Sequence, residues 1–134
     1  MRFSEYMDSD FQGAGFVFIS PSLKVLILQK PNGKWCFVGG KKEKNETPYK
    51  TAKRETKEEI GFFPKGTVVD YFKHKKSNEE VNVYSFIMKI SELFIPKLNH
   101  EHIDYKWVKI KNLQDYQFSN GVAKLVPILQ YTYS

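Results

Sequence analysis

The sequence is poor in cysteine: Cys36 is the single one among 134 residues, so no disulfide can form within the chain. It also lacks an apolar run of the roughly 20 residues that a membrane-spanning helix requires. The first ten residues include Glu5, Asp8 and Asp10 instead of the basic and apolar regions of a secretory signal. These absences argue against a disulfide scaffold and a membrane protein, and we expect a cytoplasmic protein.

Motifs for covalent catalysis and for kinase-like transfer are also absent, since the chain has no P-loop and no recognisable Ser-His-Asp pattern. Cys36 lies in the apolar segment 35–38, where a cysteine usually serves as inert packing. Acidic residues are outnumbered, 15 against 21 basic ones, which gives a net charge of +6. Such a surface favours polyanionic partners such as nucleotides or the 5′ end of RNA, although lysines also simply keep a protein in solution.

The length predicts a single domain, residues 1–134. Apolar segments bounded by turn signals predict strands at 13–20, 24–30, 35–38, 67–73, 81–90 and 105–110. Residues 73–80 are expected to form a polar loop with His74 exposed. Ser119-Asn120-Gly121 offer caps for a C-terminal helix that is kinked near Pro127.

The most informative stretch predicts a helix with defined ends. Thr47 is a good N-cap, Pro48 suits the first helical position, and Gly61 can adopt the left-handed conformation that stops a helix. A core-facing stripe recurs at helical spacing, at Tyr49, Ala52, Thr56 and Ile60. Gly39-Gly40 precede this helix and are interpreted as allowing close backbone approach to a metal or phosphate, with a plain turn as the alternative.

Three glutamates, Glu55, Glu58 and Glu59, fall together on an arc beside that stripe. They form like-charge pairs that each cost roughly 0.2–0.5 kcal/mol, and only Arg54 offers an i,i+4 partner, to Glu58. A bound divalent cation would relieve this repulsion, and hard carboxylate oxygens suit Mg²⁺ or Mn²⁺ while leaving room for substrate phosphates. The alternative is an ordinary solvated face of a helix.

The spacing of seven residues in this region resembles the box G-x5-E-x7-R-E-U-x-E-E-x-G-U of the Nudix hydrolases: Gly40, Glu46, Arg54, Glu55, Glu58, Glu59 and Gly61. Thr56 stands where the family prefers an aliphatic residue, and Val38 where it often has proline. The resemblance implies an α/β (α+β) fold, an α/β/α sandwich with a mixed sheet between helices. It also implies Mg²⁺-dependent hydrolysis of a phosphoanhydride bond, with Mn²⁺ as a substitute.

The same resemblance implies a metal site. Its expected ligands are the Gly39 carbonyl and four carboxylates, those of Glu55, Glu58, Glu59 and Glu101. Glu55 is the first choice for general base and Glu101 the second, with Glu79 and Glu80 as competitors for the position of Glu101. Arg54 is expected to orient a neighbouring glutamate, and Glu46 to hold the loop or pair with Arg54.

The substrate is less closely defined. Lys41 and Lys42 are candidates for phosphate contacts, and Asn120 resembles the base-reading asparagine of MutT-type enzymes, with a helix cap as the alternative. A (d)NTP is the first expectation, a dinucleoside polyphosphate or RNA 5′ end the second, and a non-catalytic nucleotide- or RNA-binding module the third. A zinc site at His100 and His102 is disfavoured because no third nitrogen or sulfur ligand is apparent.

Overall fold

The computed structural model describes residues 8–75 and 81–133, so Glu79 and Glu80 lie outside the described residues. Within these ranges seven strands form one sheet: β1 (Gly13–Ile19), β2 (Lys24–Gln29), β3 (Trp35–Cys36), β4 (Val38–Lys41), β5 (Thr67–Lys75), β6 (Asn82–Lys89) and β7 (Asp104–Lys109). The helices are α1 (Pro48–Ile60), a 3₁₀ helix (Ile110–Asp115) and α2 (Leu125–Tyr133). None of the described helices is both long and apolar enough to cross a membrane.

Strand β1 lies at the centre of a mixed sheet. It runs parallel to β6 along its whole length and antiparallel to β4 from Gly13 to Phe16. It meets β2 at Ile19, and β5 pairs with β6 while β3 and β7 pair with β2, all antiparallel. A Cβ at Gly15 would lie 1.9 Å from the Val38 carbonyl oxygen, so glycine is required where β1 and β4 approach each other.

Two apolar cores cover the two faces of this sheet. Phe16 and Phe18 of β1 pack on the side of α1, which contributes Ala52 and Ile60. Val17 and Ile19, which point the opposite way because strand side chains alternate, pack on the side of α2 with Leu125 and Leu129. The α/β/α sandwich with a mixed sheet is therefore confirmed.

Helix α1 begins and ends where the sequence predicts. The Thr47 hydroxyl accepts the Lys50 N–H at 3.4 Å, Pro48 is the first residue, and Gly61 ends the helix at φ 87°. Thr56 is fully buried, and its hydroxyl donates to the Ala52 carbonyl at 2.7 Å. This bond inside the helix satisfies the polar group that stands in place of an aliphatic side chain.

One alternative and two local predictions were wrong. The alternative of a plain turn at Gly39-Gly40 was wrong, because both residues belong to strand β4 and pair with Gly15 and Ala14 of β1. Strand β5 continues through His74 to Lys75, and His74 is half-buried with its Nε2 3.2 Å from the Ser85 hydroxyl. Helix α2 begins only at Leu125, so Pro127 lies in its first turn, where a missing N–H does not kink the helix.

Candidate active site

A cleft of about 1220 Å³ opens beside α1 in the part of the chain that the structure describes. Its walls come from β1, β4, β6, the loop before β7 and the turn that precedes α2. Most of the charged or polar residues singled out in the sequence line it: Glu55, Glu59, Glu101, Lys41, Lys42 and Asn120. Folding therefore gathers, in one opening, side chains separated by up to 79 positions along the chain.

The glycines of β4 form the surface against which two buried carboxylates lie. The Gly39 N–H donates to Glu59 Oε1 at 2.9 Å. A Cβ at Gly40 would lie 2.3–2.5 Å from the carboxyl atoms of Glu55. The absence of a side chain at Gly40 therefore lets the Glu55 carboxylate lie against the strand, whereas a Cβ at Gly39 would lie 2.9 Å from the Gly15 Cα of β1.

Glu59 is 3% exposed, and its carboxyl group meets two further candidate ligands. Donor atoms of Glu59, Glu101 and His102 lie within 4.8 Å of one another. Burial above all, together with the neighbouring Glu55 and Glu101, raises the pKa of Glu59 to about 9, although the Gly39 N–H opposes this shift. Burial also raises the pKa of Glu55, against the opposing effect of Arg54. The negative charge of these carboxyl groups is therefore not fully compensated by the protein, as expected of a site that binds a cation.

Arg54 fixes the orientation of the acidic residues around it, as the sequence predicted. Its guanidinium donates to both oxygens of Glu46, at 2.7 and 3.1 Å, to Glu55 Oε1 at 3.0 Å and to the Lys41 carbonyl at 2.8 Å. The pairing of Arg54 with Glu46 is confirmed, and it lowers the pKa of Glu46 to about 2. One side chain therefore connects β4, the following loop and α1.

Glu58 occupies a different position from the other two glutamates of the helix. Its side chain is 51% exposed and accepts from Arg54 Nη1 at 3.2 Å, and it does not belong to the group of Glu59, Glu101 and His102. The role of Glu58 as a metal ligand stays a prediction. The same holds for the Gly39 carbonyl, since the contact seen is made by the Gly39 N–H.

The sequence interpretation missed Asn99, which positions the loop carrying Glu101. Its amide donates to the Glu58 carbonyl at 2.9 Å, and its side-chain oxygen accepts the Glu101 N–H at 2.9 Å. The loop before β7 is thereby attached to the end of α1. An asparagine two residues before a glutamate is a local turn signal. The contact between the Asn99 amide and the Glu58 carbonyl, however, spans 41 positions and has no sequence signature.

The three candidate substrate contacts differ in how they are held. Lys42 donates to the Ser9 carbonyl at 3.2 Å and lies 4.7 Å from the centre of the Phe11 ring. Lys41 is exposed. Asn120 is also exposed and lies five residues before α2 begins, so the alternative role as a cap of that helix was wrong.

The α/β/α fold and the carboxylates of α1 that line the cleft are the features to compare with known families. The family model described as NUDIX domain matches residues 11–129, and the chain belongs to this family. It is accordingly a hydrolase of phosphoanhydride bonds.

Three relatives illustrate the similarity. Dihydroneopterin triphosphate diphosphatase of Haemophilus influenzae is 27% identical over 128 residues, covering 82% of this chain and 80% of the relative. The Ap4A hydrolase of C. elegans in a binary complex superposes with a TM-score of 0.75 at 22% identity, over 90% of this chain and 94% of the other. A MutT protein from Methanosarcina mazei superposes with a TM-score of 0.67 at 19% identity, over 89% of this chain and 91% of the other. At these identities the solved structures show the shared fold.

Proposed function

We propose that this chain is a Mg²⁺-dependent pyrophosphohydrolase of nucleoside triphosphates, with Mn²⁺ as a substitute. The observation that carries the proposal is the meeting of buried Glu55 and Glu59 with Glu101 in a cleft of about 1220 Å³. This volume exceeds the range of about 300–1000 Å³ typical of small-ligand pockets, which suits a nucleotide with its phosphate chain.

The residues present fit a hard divalent cation. Glu55, Glu59 and Glu101 would hold it through carboxylate oxygens, with the exposed Glu58 as a further proposed ligand. When bound, such an ion neutralises the phosphates and acidifies a water molecule. The Gly39 N–H keeps Glu59 directed at the cleft, and Arg54 does the same for Glu55.

Glu55 is the proposed general base. Arg54 holds its Oε1, so Oε2 is the oxygen that would accept a proton from water, and in that role Glu55 would leave the cation to Glu59 and Glu101. The guanidinium also favours the ionised form of Glu55 that a base requires, against the effect of burial. Glu101 is the second candidate, since it is exposed in the same cleft and its backbone is fixed by Asn99.

For the substrate, Lys41 and Lys42 are proposed to meet phosphate oxygens and Asn120 the heterocyclic ring, since all three line the cleft. The 27% identical relative is named for dihydroneopterin triphosphate, whose fused ring presents hydrogen-bonding groups like those of guanine. A pterin triphosphate is therefore a second candidate. The similarity to an Ap4A hydrolase and the charge of +6 keep dinucleoside polyphosphates and RNA 5′ ends as further candidates.

The test is a hydrolysis screen with Mg²⁺ over dNTPs, dihydroneopterin triphosphate, Ap4A and 5′-triphosphate RNA, with products identified by chromatography. We expect pyrophosphate and a nucleoside monophosphate from a dNTP. Glu59→Gln should lower turnover by roughly 100-fold or more, because the cation that Glu59 would help to hold is lost or misplaced. Glu92→Gln, an exposed glutamate outside the cleft, is the matched control.

Two outcomes would refute the proposal. Absence of hydrolysis of every substrate with either Mg²⁺ or Mn²⁺ would favour the non-catalytic nucleotide-binding module. Full activity of Glu59→Gln would remove the carboxylate pair from the mechanism. Preferred cleavage of Ap4A or RNA would instead reassign the substrate while keeping the chemistry.

A further inference from the structure

His102 is a buried polar side chain that the proposed hydrolysis does not use. It is 8% exposed, and its Nε2 lies 3.5 Å from the thiol sulfur of Cys36. Its Nδ1 is fully buried and has no hydrogen-bond partner among the described residues. A buried polar atom without a partner is costly, and in a native protein it usually marks a group reserved for a ligand or a water molecule.

The surroundings of this ring supply the other ligands of a metal position. One ring nitrogen of His102 lies within 4.8 Å of a carboxylate oxygen of Glu59 and one of Glu101, and those oxygens lie equally close to each other. Ligands that each lie about 2.1 Å from a tetrahedrally coordinated cation are separated by about 3.4 Å, so these separations would shorten by at most about 1.4 Å when the shell closes.

The contact between His102 Nε2 and the Cys36 sulfur is compatible with either tautomer of the ring, and one of the two makes Nδ1 available to a cation. If Nε2 carries the proton and donates it to the Cys36 sulfur, Nδ1 presents its lone pair. Metal-binding histidines are usually oriented in this way, by a hydrogen bond from the nitrogen that does not bind the metal. Cys36 is 66 positions away in the chain, so the sequence alone could not bring it to this ring.

We propose that His102 Nδ1 joins Glu59 and Glu101 as a nitrogen ligand, and that this position binds Mn²⁺, Co²⁺ or Zn²⁺ more tightly than Mg²⁺. The inference rests on the proposed metal-dependent hydrolysis and deepens it by naming the ion preference of the same site. Imidazole suits borderline transition metals, whereas Mg²⁺ prefers oxygen ligands alone. A substitution that removes the imidazole ring of His102 should therefore weaken the binding of Mn²⁺, Co²⁺ and Zn²⁺ more than the binding of Mg²⁺.

The experiment uses Co²⁺ as probe, because its visible absorption and its paramagnetic NMR shifts report the ligands directly. In the metal-free full chain, Co²⁺ should produce one strongly shifted, exchangeable N–H signal, from His102 Nε2. His102→Asn should abolish this signal and weaken Co²⁺ binding by at least about tenfold, while Mg²⁺ binding changes far less. His100→Asn, an exposed histidine two residues away, should match the wild type.

The results separate this inference from the function that it rests on. A wild-type protein that binds Co²⁺ without a shifted N–H signal overturns the ligand assignment, even if the His102 variant fails to fold. An equal loss of Co²⁺ and Mg²⁺ binding in His102→Asn also overturns it, since a merely structural role predicts that outcome. If Co²⁺ binding depends on His102 but no phosphoanhydride is cleaved, the metal position stands and the proposed hydrolysis fails.

Discussion

Gly40→Ala is expected to abolish most activity without destabilising the protein. The new Cβ would lie 2.3 Å from the Glu55 carboxyl carbon and 2.4 and 2.5 Å from its two oxygens. Ordinary contact requires about 3.4–4 Å, so the carboxylate must move by about 1 Å or more. The backbone at Gly40 is not left-handed, so alanine can occupy the strand without strain.

The magnitude follows from this displacement. A misplacement of about 1 Å in a catalytic group costs on the order of 100-fold in rate, so kcat should fall by about that factor. The unfolding free energy should change by less than about 1 kcal/mol, because alanine fits a strand at least as well as glycine. Steady-state hydrolysis of the best substrate and urea denaturation measure the two quantities.

A double-mutant cycle with Glu55→Ala tests the stated cause. Once the carboxylate is gone, the added methyl group has nothing to displace, so Gly40→Ala should lower the remaining rate by less than about twofold. If Gly40→Ala lowers the rate by the same factor in the Glu55→Ala background as in the wild type, the methyl group acts by disturbing strand β4. In that case the reasoning is wrong. Unchanged kcat in the single variant would also refute it.

Three further predictions concern the residues that hold the site. Arg54→Lys keeps the charge but loses the guanidinium that donates to both oxygens of Glu46. It should therefore destabilise the protein by about 2 kcal/mol, which lowers the Tm by roughly 7 °C. An unchanged Tm would contradict this. The pKa of Glu46 is lowered to about 2, so its stabilising effect is complete above about pH 5 and is lost as the pH falls towards 2. The difference in urea midpoint between the wild type and Glu46→Gln should therefore shrink from pH 7 to pH 3, and a constant difference would contradict the pairing. Gly61→Ala should lower the unfolding free energy by about 1–2 kcal/mol, because the φ of residue 61 is 87°. Gly61→Asn should lower it by less, since asparagine adopts the left-handed conformation more readily. Equal losses of unfolding free energy in urea denaturation would point to a clash with Lys97 instead.

Helix α1 was predictable because its signals are local. Thr47, Pro48 and Gly61 act on the backbone within one turn of themselves, and their geometry does not depend on the rest of the chain. The arc of glutamates follows from helical spacing in the same way. What spacing could not reveal is that Glu55 and Glu59 are buried while Glu58 is exposed, since that depends on the strand against which α1 packs.

The extent of strand β4 and the first residue of helix α2 could not be predicted, for the opposite reason. Paired glycines have low strand propensity, and only the partner strand β1 makes Gly39 and Gly40 extended. Residues 119–124 carry helix-start signals, yet the helix begins at Leu125, where the apolar side chains Leu125 and Leu129 pack on the sheet. Tertiary packing overrides weak local preferences at both places.

The sequence by itself determined the acidic helix, its ends and the spacing of the carboxylates, because these depend on residues within one or two turns of each other. Only the tertiary structure decided which carboxylates lose contact with water. It also decided that Glu101 and His102 join Glu59, and that Cys36 supports the histidine ring. These are contacts between distant segments, fixed by the pairing of strands around β1, and their energies arise from burial that a local pattern does not contain.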